Sequence, residues 1–155
     1  MDVSASAMDD ETFWRIIEML DWSHEGDDDK VVEPAVAALA AMSESEIIGF
    51  DRALAYWLYV IDGREWARES GSMIWWGEPD RLSVDGFLYA RCAVVASGLG
   101  FYSVVLRDAK QMPKDVEFEA LLYIGRQAFE RATGRELDDQ GPISFETFSN
   151  RDQWP

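Results

Sequence analysis

Apolar positions recur along this chain at helical spacing almost throughout. Phe13, Ile16, Ile17 and Leu20 fall at i, i+3, i+4 and i+7, which aligns them on one helix face. That helix is predicted to start from a cap at Asp9 or Asp10 and to reach Trp22, with Trp14 beside the stripe. A second helix is expected from Pro34, a residue suited to a first turn, to Met42, packing through Ala35, Leu39 and Met42. Ser43-Glu44-Ser45-Glu46 reads as a capping box, in which Ser43 and Glu46 satisfy each other's free backbone N–H groups. The long third helix that follows carries Ile47, Phe50, Leu54, Trp57, Leu58 and Ile61. Asp62-Gly63 closes it, with Gly63 just past its end.

The run from Leu82 to Pro113 is the longest lightly charged stretch. Ser83 is a predicted N-cap, and Asp85 suits the first turn of a helix whose dipole favours negative charge there. Val84, Phe87, Leu88, Cys92, Val95 and Leu99 share one face of that helix. Gly98 and Gly100 interrupt it, and a shorter helix follows with Phe101, Val104 and Val105 inward, ending by Pro113. Val116 to Thr133 reads as a further helix, with Phe118, Leu121, Leu122, Gly125, Ala128, Phe129 and Ala132 apolar and Gly134 as its stop. Residues 64–81 form an expected irregular, aromatic-rich loop holding Trp66, Trp75 and Trp76. Residues 1–8 are a flexible lead, and 138–155 an irregular tail packed by Phe145, Phe148 and Trp154. The sum is an all-α, single-domain helical array of about five to seven helices over residues 9–137.

Composition sharpens this picture. In 155 residues, 48% are hydrophobic, enough for a core and too many for wholesale disorder. Thirty Asp and Glu against 14 Lys and Arg give a net charge of -16. That argues against nucleic-acid and anionic-membrane partners, which need basic patches, and favours a basic protein surface. Cys92 is the only cysteine, so no internal disulfide forms, and it reads as a small buried hydrophobe. The opening residues lack the basic and apolar runs of a secretory signal, and no run is long enough to cross a bilayer. A cytoplasmic location follows by default.

Catalytic signatures are missing. There is no phosphate-binding loop of the G-x-x-x-x-G-K-[ST] type, no nucleophile elbow and no H-E-x-x-H. The only histidine, His24, opens the run His24-Glu25-Gly26-Asp27-Asp28-Asp29. Carboxylates suit hard cations, but the alternating ligands and closing Glu of a calcium loop are absent, and the run reads as a solvated loop. No cofactor or metal is implied. Arg91 is the odd residue. It sits in the most apolar part of the chain, where a guanidinium needs an acceptor, and Asp85, nearly two turns away, is poorly placed to be one. It is either a structural ion pair or snorkelling side chain, or an anion-binding arginine in a pocket. The tryptophans of 64–81 either pack over the core or form a recognition patch.

Four blocks carry a resemblance: Phe13-Trp14 through Glu18; Leu39 through Phe50; Val84-Asp85-Gly86-Phe87 through Arg91, followed by Ser97-Gly98; and Leu122-Tyr123 followed by Ala128-Phe129-Glu130. Together they resemble the bacterial family catalogued as domain of unknown function 4240. The tryptophan-bearing 64–81 segment departs from the Gly-Gly-Ser-Asp-Asp-like turn of that family. The resemblance implies an architecture and no activity. It directs attention to Trp14, Asp62, Asp85, Phe87, Arg91, Gly98 and Tyr102, and suggests a polar cluster of Asp62, Asp85 and Arg91 drawn together across helices.

The expected function is a non-catalytic interaction or regulatory module that meets a basic protein through acidic and aromatic surface. The alternative is a small-molecule binder or unrecognised enzyme with a pocket near Arg91, whose candidate aromatics are Trp14, Trp66, Trp75, Trp76 and Tyr102. A third possibility is a nucleic-acid mimic. An exposed tryptophan patch would also allow a homodimer.

Overall fold

The computed structural model describes residues 6–71, 73–74 and 81–155. Among them the fold is all-α. There are seven α-helices with short 3-10 turns between some of them, and the one sheet element is a two-residue antiparallel pairing of β1 (Met73–Ile74) with β2 (Arg81–Leu82), in the register Met73 to Leu82 and Ile74 to Arg81. Trp75 and Trp76 lie outside the described residues. The chain divides into two compact units, Met1–Ala55 with Ala120–Ile143, and Tyr56–Glu119 with Ser144–Pro155.

In the first unit, α1 (Asp10–Ile17) starts where the sequence places it. The Asp9 carboxylate accepts from Thr12 N, and Phe13, Trp14, Ile16 and Ile17 are all buried. The helix stops well before Trp22, which instead opens a short 3-10 turn, Trp22–His24. The second helix, α2 (Asp28–Ala40), begins six residues before the expected Pro34, because Asp27 caps it by accepting from Lys30 N. Pro34 therefore sits inside the helix, where it forfeits one backbone hydrogen bond. Val31, Val32, Ala35, Val36 and Leu39 hold the helix down nonetheless.

Ser43 Oγ accepts from Glu46 N at 3.2 Å and opens α3 (Glu44–Val60). Of residues 6–8, expected within a flexible lead, Met8 N donates to Gly49 O at 2.9 Å. The carbonyl of Ser6 occupies the space a Cβ at Gly49 would need. The predicted helix from Val116 is shorter than expected: Glu119–Tyr123 is a 3-10 turn and α7 is Ile124–Thr133. It closes on Gly134 in the left-handed region (φ 72°), the glycine stop its sequence suggests. α7 packs chiefly on α2, and Phe13 stacks near Phe50 and Trp14 at 5.1 Å.

In the second unit, Gly63 departs from expectation. Its φ of -163° is extended, and it caps a further helix, α4 (Arg64–Glu69), inside the expected irregular loop. Glycine is required there by proximity rather than by conformation, since an added Cβ would lie 2.9 Å from both Gln153 Cβ and the Trp66 ring. Ser83 caps α5 (Val84–Ala96) by accepting from Gly86 N. α5 has no single apolar stripe: ten of its residues, from Gly86 to Ala96, are buried on all sides, as an all-round apolar helix must be. Val84 and Leu99, expected on the inner face, are exposed. Gly98, at φ 98°, turns the chain into α6 (Leu99–Arg107). There Tyr102 and Val105 face inward while Phe101 and Val104 face out, a shift of the predicted face by part of a turn.

Candidate functional site

The second unit buries a pair of opposite charges. Arg91 on α5 and Asp62, just past α3, are both fully shielded from solvent. Arg91 donates through Nη1 to the carbonyl of Leu58 at 2.9 Å and through Nη2 to Thr147 Oγ1 at 3.0 Å. Its guanidinium carbon stands 4.8 Å from the Phe87 ring centre, a cation-π contact that suits a desolvated cation. Burial pushes Arg91 below its ordinary pKa, and the nearby negative charge of Asp62 pulls it back up. Nε of Arg91 has no acceptor.

Asp62 collects donors from the C-terminal tail. Phe148 N reaches Oδ1 at 3.2 Å, Asn150 N reaches Oδ2 at 3.0 Å, and the Trp154 indole N–H reaches Oδ1 at 3.0 Å. Thr147 then hands its own hydroxyl proton to Val84 O at 2.9 Å. Phe148 holds φ at +78°, a strained value for a side chain of its size. The strain persists where surrounding bonds over-determine it, and the Asp62 contacts supply that constraint. Gln153 adds bonds to Val60 O and Asp62 O. The tail is thus a strap, tied at one end to a buried cation and at the other to a buried carboxylate.

This arrangement places the predicted residues unequally. Asp62 and Arg91 come together in one electrostatic network, whereas Asp85 stays exposed in the first turn of α5. Tyr102 is buried and donates to Trp57 O at 2.6 Å, with burial raising its phenol above the usual range. Trp66 packs rather than projects: it is 6% exposed and its indole donates to Val105 O at 2.9 Å. Trp14 is buried in the first unit. Cys92 is enclosed, and burial pushes its thiol to about 12, far from a reactive thiolate. Among the described residues no three His, Cys, Asp or Glu side chains are grouped to hold a metal ion. No helix of the described residues is long and apolar enough to cross a membrane.

The first unit presents a different surface. Asp9, Asp10, Glu11, Glu18, Glu25, Asp27, Asp28, Asp29 and Glu33 are all exposed, and Asp21 is half-buried. Amid them Met19 and Trp22 are 36% and 43% exposed. Neither was singled out by pattern, although the signal is present: both fall off the 13-16-17-20 stripe. His24 stands 3.6 Å from Asp21 in the same segment. Thr147 was missed because a lone threonine in an irregular tail has no periodicity to mark it.

The family model described as a protein of unknown function (DUF4240) matches residues 8–131. Comparison with curated proteins and with solved structures gives no match.

Proposed function

We propose that this chain, which belongs to the DUF4240 family of proteins of unknown function, is a non-catalytic interaction module that engages a basic protein through its first unit. The observation that carries this reading is the exposed carboxylate run of residues 9–33, set around Trp22 and Met19. Residues 9–33 hold ten carboxylates against two cations of their own, Arg15 and Lys30, and among the described residues only Glu33 of the ten is paired from elsewhere, by Arg131. Negative potential of that density steers a cationic partner, and a half-exposed tryptophan is the side chain type that anchors such interfaces. Nucleic acid and anionic lipid are disfavoured by the same charge. A cytoplasmic setting fits a protein whose lone thiol is enclosed rather than paired.

The reading that places a small-molecule pocket at Arg91 has less support, since both terminal nitrogens of that guanidinium are engaged by Leu58 and Thr147. The test is capture from native cells by the wild-type chain and by a variant with Glu25→Gln, Asp28→Asn, Asp29→Asn and Trp22→Ala. A stoichiometric basic protein should be held at low salt and released near 1 M salt, where screening shrinks to about 3 Å. The variant should not hold it. Retention that ignores both salt and the four substitutions defeats the reading.

A further inference from the structure

A cleft of about 660 Å³ opens beside α4, lined by Arg64, Glu65, Trp66 and Arg68 from the helix and by Asp152 and Gln153 from the tail. Its volume lies in the range of small-ligand sites, about 300–1,000 Å³. Arg64 and Arg68 are four residues apart, so they stand one above the other on the same helix face.

Neither guanidinium is neutralised by the acidic groups beside it. In a chain with 30 carboxylates, Arg15, Arg52, Lys114, Arg131 and Arg135 each find a carboxylate partner. Among the described residues, Arg64 and Arg68 make no ion pair, although Glu65 and Asp152 line the same cleft. Arg64 Nε is shielded from water and has no acceptor, and a shielded donor left unmade is costly. The cleft wall is shaped rather than incidental. Trp66 and Gln153 close on Gly63 so tightly that a Cβ would collide with both, and the polar ends of both side chains are fixed by bonds to Val105, Val60 and Asp62.

We propose that this cleft binds a small zwitterion of the amino-acid type, with its carboxylate on the Arg64 and Arg68 guanidiniums and its ammonium facing Glu65 and Asp152. Guanidinium forks match carboxylate geometry, whereas the two carboxylates repel a ligand that is purely anionic. This site is separate from the acidic surface of the first unit and stands or falls independently of it.

The test is titration of the isotope-labelled protein with a panel of amino acids at millimolar concentration, following the Trp66 indole N–H resonance assigned with Trp66→Phe. Acetate serves as the anion-only probe and methylammonium as the cation-only probe. At least one amino acid should shift the resonance saturably, with both single-charge probes weaker. Arg68→Gln and, separately, Asp152→Asn should each weaken binding about tenfold or more, the loss of one charge-assisted hydrogen bond. Arg107→Gln, on α6 outside the cleft, should leave it unchanged. No saturable shift with any amino acid, acetate binding as tightly as the amino acid, or binding indifferent to Arg68→Gln would each overturn the proposal.

Discussion

The two compact units treat charge in opposite ways. Of the chain's 30 carboxylates and 14 Lys and Arg, the first unit holds 18 and 6, a net of -12, and the second holds the other 12 and 8, a net of -4. The strongly charged unit keeps most of its carboxylates in water, as helix caps at Asp9 and Asp27 or as exposed side chains, and encloses Asp51 and Asp139 only in part. The nearly balanced unit instead encloses Asp62 and Arg91 completely. Net charge therefore gathers where water screens it, and burial marks where charge holds the fold. A substitution should be silent or severe according to which of these roles it touches.

The largest effect belongs to Arg91→Ala. It removes the donors to Leu58 and Thr147 and leaves Asp62 buried without its countercharge, a change worth about 3–5 kcal/mol. Urea unfolding should show it as a lowered midpoint, and a loss below about 1 kcal/mol would contradict the enclosed-pair description. Asp62→Ala comes next, at about 2–4 kcal/mol, from three tail donors losing a charged acceptor. Its particular signature is release of the strap, seen as faster proteolysis between residues 144 and 155. Because the two residues share one network, the double variant should cost less than the sum by at least about 0.5 kcal/mol. Strict additivity would show that the strap has two independent ties.

Asp51 sharpens the comparison from the other side, as a partly enclosed carboxylate of the acidic unit. Burial lifts it from an ordinary 3.8 to about 6, with Arg126 opposing and Asp139 reinforcing the shift. Gly125 of α7 approaches it closely, since a Cβ there would stand 3.1 Å from Oδ1. The folded value exceeds the unfolded one, so the protonated carboxyl favours the fold. That contribution is complete below about pH 4 and is lost as pH rises through about 6. Asp51→Asn should therefore stabilise the protein at pH 7 by about 1–3 kcal/mol, at roughly 1.4 kcal/mol per pKa unit. It should also flatten the decline in stability between pH 4 and 6. A variant less stable than wild type at pH 7 would show that Asp51 is held by its partners rather than tolerated.

These contrasts explain what the sequence could disclose. Local rules were readable at helix ends: the caps at Asp9, Ser43 and Ser83 and the stop at Gly134 all stand where the pattern puts them. Pro34 misled because its preference for a first turn is weak beside the cap at Asp27 and the buried valines that follow. Gly63 misled because a glycine can be required by a neighbour's approach as well as by a positive φ, and sequence carries only the second signal. Arg91 was conspicuous as a charge in an apolar helix, and its electrostatic link to Asp62 was within reach. Its direct partners, a main-chain carbonyl and Thr147, were not, because carbonyls have no identity in a sequence and Thr147 lies 56 residues away.

The smallest effect should come from the most visible ion pair of the acidic unit. Arg131 on α7 meets Glu33 on α2 through two hydrogen bonds, 2.9 and 2.6 Å long. The hydrogen bond from Arg131 holds Glu33 below its usual value. Both side chains are nearly half exposed, at 47% and 49%, so water and salt screen the attraction and ordering two long side chains offsets part of it. Arg131→Ala should cost only about 0.2–1 kcal/mol, and less as salt rises. The same bidentate geometry enclosed beside Asp62 would count several times more. A double-variant cycle on Glu33 and Arg131 that returned a coupling as large as that of Asp62 and Arg91 would break the distinction, because solvated charge and fold-holding charge would then be one population.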